Sequence, residues 1–227
     1  MAKGSMLRQM KTLCAAIWLA VWSLNCSAME TVIFKENFAH GLTNGWENVA
    51  FFKKLTSYQV LHEEDHYFLR GMAEKGCSAL TTKLALAPSP KLTLRWRWRV
   101  AGVNPDGAER DLKKFDHAAR LVVAFDTLIG PPRTLNYLWA NVELPGTVLE
   151  HPKSGRAQML ILESGNAKAG QWVAEERDLV ADWKKVFPDK PMPKIVALGV
   201  MTDSDSLGQT LTGDYADIEM RAESAER

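Results

Sequence analysis

Hydrophobic and polar residues alternate along most of this chain with a period of two, most clearly in the stretch LTLRWRWRV at residues 92–100. Leu92, Leu94, Trp96, Trp98 and Val100 fall on one side of the alternation and Thr93, Arg95, Arg97 and Arg99 on the other. That pattern predicts a β-strand with one buried face. The other face sets three guanidinium groups in a row, which need solvent, acidic partners or a ligand.

The same period recurs at residues 31–38, 57–62, 66–72 and 78–86 before this strand, and again after it. In AARLVVAF (118–125), Arg120 shares a face with Ala118, Val122, Ala124 and Asp126. In the next strand Leu135, Tyr137, Trp139 and Asn141 alternate with Asn136, Leu138, Ala140 and Val142. AQMLILES (157–164), QWVAEERDLV (171–180) and the segments 195–201 and 215–220 complete the set. One helix is expected at 180–187, from the helical spacing of Leu179, Trp183 and Val186, with Pro188 ending it. Roughly eleven short strands with turn signals between them predict an all-β fold, an antiparallel jelly-roll β-sandwich with one short helix. No repeat or composition shift divides residues 29–227, so they are read as a single domain.

The first 28 residues stand apart. Lys3, Arg8 and Lys11 precede an uncharged apolar run at 13–24, followed by Cys26-Ser27-Ala28. This is the pattern of a secretory signal peptide cut after Ala28. The run is too short for a membrane span, which needs about twenty residues. Cys26 is a poor lipoprotein site, because Leu24 and Asn25 stand where small residues are expected. The expected location is periplasmic or secreted, with no transmembrane segment in the mature chain. Without the leader the chain has 25 basic and 27 acidic residues, a balance that gives no electrostatic reason to expect nucleic acid. Cys77 is then the one remaining cysteine, which excludes an intramolecular disulfide; it reads as a small core residue rather than a nucleophile.

Three groups of residues are candidates for chemistry. Thr202-Asp203-Ser204-Asp205-Ser206, with Gly208, Asp214 and Asp217 after it, offers hard oxygen ligands, and Asp203 and Asp205 would suit Ca²⁺. The alternative is that these side chains bond the loop's own backbone. Asp116 with Arg120, and Glu175-Glu176-Arg177, pair acids with arginine; adjacent glutamates on a strand face opposite ways, so ion pairing to the Arg95, Arg97 and Arg99 face is the expected use. Glu175, Asp126 or Asp116 would serve as partners there. Trp96 and Trp98 read as core, whereas Tyr137, Trp139 and Asn141 are candidates for a concave binding face. The five histidines lack zinc spacing, and no nucleophile elbow, phosphate loop or dinucleotide fingerprint occurs.

Taken together, LTLRWRWRV, KKFDHAARLVVAF, TLNYLWAN, GQWVAEERDLVADWKKVF and VMTDSDSLGQTLTGDYADIEM resemble an uncharacterised bacterial family, domain of unknown function 3047, over roughly residues 78–220. The resemblance implies an exported jelly-roll sandwich related in shape to carbohydrate-binding modules, with no activity attached. The family pattern usually has two acids where this chain has Asp116-His117, and threonine where it has Leu207.

These features suggest a binding module for a glycan or other polar, even anionic, ligand, using Asp116, Arg120, Tyr137, Trp139, Asn141, Asp203 and Asp205. The rival is an envelope polysaccharide hydrolase or lyase with Asp116, Asp203 or Asp205 as acid and base, which requires two of these carboxylates near each other across an open cleft. A structural envelope component that binds another protein is the third reading.

Overall fold

The computed structural model describes residues 30–51 and 54–223. The leader expected at residues 1–28 lies outside them. In chain order the elements are β1 (Glu30–Glu36), β2 (Glu47–Ala50), β3 (Ser57–Glu63), β4 (His66–Glu74), β5 (Cys77–Leu86), β6 (Leu92–Val100), β7 (His117–Phe125), β8 (Arg133–Ala140), β9 (Val148–His151), β10 (Ser154–Ser164), β11 (Val173–Asp178), α1 (Leu179–Val186), β12 (Ile195–Asp203) and β13 (Thr210–Glu223). They form two sheets packed as a sandwich. Sheet A runs β11-β6-β13-β4-β3, with β1 also paired to β13; sheet B runs β2-β5-β12-β7-β8-β10-β9.

The alternation of β6 places its apolar side between the sheets, where Leu92, Leu94, Trp96, Trp98 and Val100 are all buried. Trp96 meets Tyr137 with ring centroids 5.2 Å apart, and Trp98 meets Trp139 at 5.8 Å. Burying side chains of this kind stabilises the sandwich by about 2–3 kcal/mol each. The arginine side is neutralised within sheet A, by partners other than Glu175, Asp126 or Asp116. Arg95 pairs with Glu176 at 2.9 Å, Arg97 with Asp217 at 2.6 Å, and Arg99 with Asp214 at 2.8 Å and Glu63 at 2.9 Å. Glu175 instead accepts the Trp98 indole N–H at 3.2 Å.

The helix α1 starts at Asp178, whose carboxylate accepts the amides of Val180 and Ala181 as an N-cap. It buries Leu179, Trp183 and Val186, the three residues whose spacing predicts it.

Three details depart from the expected pattern. β2 and β9 are four-residue strands too short to show a period. β10 pairs with β8 in parallel, because β9 intervenes and turns the chain back before β10 begins. The last strand begins at Thr210 and takes up part of the polar segment that separates the strand segments 195–201 and 215–220. Within it Gly213 is required, since a Cβ there would lie 2.2 Å from the Ala118 carbonyl of the other sheet. Here the sheets close on each other, with the Tyr215 hydroxyl of sheet A donating to the Met201 carbonyl of sheet B at 2.7 Å and lying 3.0 Å from Thr202 Oγ1.

Candidate functional site

The outward face of sheet B is not needed for the inter-sheet core, and small residues keep its centre shallow. Ala79 and Thr81 on β5, Val122 and Ala124 on β7, and Ala197 and Gly199 on β12 form the floor of a groove of about 540 Å³. Gly199 is required here, since a Cβ would meet Thr81 Cγ2 at 2.8 Å. The other half of the same face is filled by a second apolar cluster of Phe115, Leu138, Ala140, Leu149, Met159 and Ile161. That cluster raises one wall of the groove, to which Phe115 and His151 contribute with rings 4.7 Å apart. Asn136, Lys153 and Ser206 add polar groups to the lining. A groove of this volume with an apolar floor and few polar groups is the usual form of a small-ligand site.

The polar end of the groove is built where β5, β7 and β12 start or stop. Cys77, the first residue of β5, is the cross-strand partner of Asp203, the last of β12. Arg120 pairs across to Met201 and its guanidinium reaches Asp203 in an ion pair. Burial pushes the Asp203 carboxyl up to about 6 against the pull of Arg120. Cys77 Sγ and carboxylate oxygens of Asp203 and Asp205 lie within 4.8 Å of one another. Burial, reinforced by both carboxylates, pushes the Cys77 thiol up to about 12, so it stays protonated and is no nucleophile.

These groups do not fit Ca²⁺. Asp203 already has the Arg120 guanidinium as its cation, the third member is a protonated sulfur, and Ca²⁺ takes six to eight oxygens.

The sequence-derived candidates are divided by the structure. Arg120, Asp203 and Asp205 come together at the groove. Tyr137 and Trp139 point the other way, into the core; both are wholly buried, the Tyr137 hydroxyl donates to Asp182 at 2.8 Å and the Trp139 indole to the Gly165 carbonyl at 3.1 Å. Asp116 is buried beneath the turn after β12, where its oxygens accept the amides of Ser206 at 2.8 Å and Leu207 at 2.7 Å. Asn141 ties down the loop between β6 and β7, donating to Glu109 at 3.0 Å and to the Asp116 carbonyl at 2.8 Å, and accepting from the Asn104 amide at 3.0 Å. That loop is therefore anchored from below.

Glu109 is the loop's buried anchor. Burial pushes its carboxyl up, yet the neighbouring His117 ring and the amides of Asn141 and Glu143 hold it at about 2. His117 is wholly buried with Nε2 3.5 Å from Glu109 Oε1, and desolvation outweighs that carboxylate and pushes it down to about 4, so it is neutral near pH 7. Burial and the Arg120 charge likewise push His151 down to about 4.

Phe115, Asn136 and the small floor residues were not singled out by the sequence, and Cys77, read there as a small core residue, is instead half-buried in the groove lining. The signal for the floor was present in the face shared by Arg120, Val122 and Ala124, where two small side chains follow a charged one.

A family model whose description is a protein of unknown function, DUF3047, matches residues 44–219. No curated protein matches the chain. Among solved structures, the chain is similar to the family 11 carbohydrate-binding module of a cellulosomal cellulase of Clostridium thermocellum, with 9% identity and a TM-score of 0.48 over 88% of this chain and 98% of that one. It is similar to the xylan-binding domain CBM22-1 of Xyn10C from Paenibacillus barcinonensis, with 10% identity and a TM-score of 0.46 over 87% and 97% of the two chains. It is similar also to the K3 adhesin domain of Lys-gingipain from Porphyromonas gingivalis, with 9% identity and a TM-score of 0.46 over 86% and 99%.

Proposed function

This chain belongs to the DUF3047 family, and we propose that the outward groove of sheet B binds a glycan, in a protein exported to the cell envelope. The observation that carries this reading is the groove itself, whose apolar floor is edged by polar groups at one end and along the rim. A sugar ring has the matching chemistry, with apolar C–H faces and hydroxyls around its edge. Val122, Ala124 and Ala197 meet the face, while Asn136, Asp205 and Ser206 are within the lining to take hydroxyls. Neutralisation of Asp203 by Arg120 leaves Asp205 as the acid at the polar end, which suits hydroxyl or ammonium donors better than an anionic sugar. Export is supported by the leader pattern of residues 1–28. A glycan array followed by isothermal titration tests the reading; a flat response to envelope and plant polysaccharides overturns it.

A second reading, a polysaccharide hydrolase or lyase, is favoured by one observation. Asp203, raised to about 6, sits beside Asp205, and general acid–base chemistry needs two carboxyls of different proton affinity. Release of new reducing or unsaturated ends, lost in Asp205→Asn, is its test.

A further inference from the structure

The tip of the β7–β8 hairpin carries Leu128 and Ile129, whose side chains are 105% and 85% exposed. The loop does not need them. Its shape is set by Thr127 Oγ1, which donates to the carbonyls of Gly130 at 3.0 Å and Pro131 at 3.1 Å. Arg156 adds bonds to the carbonyls of Pro131 at 3.0 Å and Ile129 at 3.4 Å. Single exposed aliphatic residues are common on protein surfaces, but two adjacent ones held out on a braced turn call for a partner.

The surroundings of the tip say which partner. Arg156 braces it with its guanidinium, Arg133 begins the following strand with its guanidinium over the Phe187 ring at 5.6 Å, and the Lys194 carbonyl accepts the Asp126 amide at 2.8 Å, so three basic residues border the loop. Lys190 follows α1 on the same side, where the Trp183 indole donates to its carbonyl. The acids beside the tip are Asp126, which accepts the amide of Thr127, and Asp189; Glu30 and Glu223 lie at the same end on sheet A, Glu30 paired with Lys91. Register places the chain's entry at this end too. Phe125 pairs with Arg133 and Ile195, Ile195 with Leu86, Leu92 with Ala222, and Glu223 with Glu30. Glu30, salt-bridged to Lys91, thus enters the fold on the same end as the tip. At the opposite end Val142 and Leu144 are also exposed, but Glu143 lies between them, paired with Arg110.

We propose that this end of the sandwich is a membrane-docking face. Leu128 and Ile129 enter the interfacial layer of a bilayer with anionic headgroups, and the flanking arginines and lysines meet those headgroups. A pair of aliphatic side chains gives reversible attachment, which basic residues strengthen and salt weakens.

The test labels Ile129→Cys with an environment-sensitive fluorophore in the chain from residue 29 onward, which lacks the apolar leader run, with Cys77 changed to serine. The same label at Asp106→Cys, on the opposite end, is the control. Phosphatidylglycerol vesicles should blue-shift the label at position 129 and leave that at 106 unchanged, and phosphatidylcholine vesicles should give a weaker shift. Leu128→Asp together with Ile129→Asp should lower vesicle partition roughly tenfold or more, with an unchanged unfolding midpoint because both residues are almost fully exposed. No shift at 129, an equal shift at 106, or a shift that depends on protein concentration without lipid overturns the proposal, the last in favour of self-association.

Discussion

Arg120 and Asp203 form an ion pair that is enclosed at the end of the groove, 3% and 2% exposed respectively. Breaking such a pair by removing one member leaves an uncompensated buried charge, which costs about 3–5 kcal/mol. Arg120→Ala is therefore expected to lower stability by that amount in urea unfolding, while Arg120→Met combined with Asp203→Leu costs much less. Equal losses in the single and double variants would show that packing, not charge, dominates.

The same engagement predicts the response to calcium. A ligand bound only by the folded state raises its stability in proportion to the logarithm of its concentration. With Asp203 occupied by Arg120, millimolar Ca²⁺ should leave the thermal midpoint unchanged, and addition of a chelator should have no effect.

His117 gives a titration with a definite sign. Its folded-state value, about 4, lies below the ordinary histidine value of 6.5, so the stability it contributes is present above pH 6.5 and is lost as pH falls towards 4. Asp203 acts oppositely, since a raised carboxyl contributes stability at low pH that is lost as pH rises towards 6. The two overlap, so the difference between proteins is the informative quantity. Relative to His117→Phe, the wild type should lose up to about 3 kcal/mol between pH 6.5 and pH 4. A constant difference across that range would place the proton elsewhere.

Glu175 behaves like Asp203 in sign. Burial, and then the neighbouring Glu163, push it up to about 7, so its ionisation weakens the fold as pH rises from the ordinary carboxyl range through 7. Glu175→Gln should be more stable than the wild type at pH 8 and should lose that advantage at pH 4.5. Thermal unfolding at the two values decides it.

Filling the groove separates binding from folding. Ala124 is half-buried on the floor, facing away from the core, so Ala124→Trp should abolish binding of whichever glycan the array identifies while changing stability by no more than about 0.5–1 kcal/mol. Retained affinity in the titration would move the binding surface away from sheet B.

Strand β6 was fully legible because its two faces differ so sharply: tryptophan and leucine on one, arginine on the other. Strand β8 was not, because both of its faces are apolar. Leu138 and Ala140 lie under Phe115 and the β9–β10 pair, while Tyr137 and Trp139 fill the inter-sheet core, so alternation alone could not say which set faces a ligand. The groove's charged end was legible residue by residue in Arg120, Asp203 and Asp205. Its assembly was not, because the pairing of Cys77 with Asp203 joins residues from opposite halves of the chain. The polar run after β12 shows the same limit, since the value of Gly213 lies in a contact with the other sheet that no local pattern records.

The pairing of β1 with β13 also sets how the molecule would respond to force. Glu30 lies opposite Glu223 at the open end of an antiparallel pair. Tension applied through these two residues loads one rung of the ladder at a time, as in opening a zipper, instead of loading all rungs together in shear. β1 would peel away under weak pull, and the tryptophan-filled interior would carry load only after it had gone.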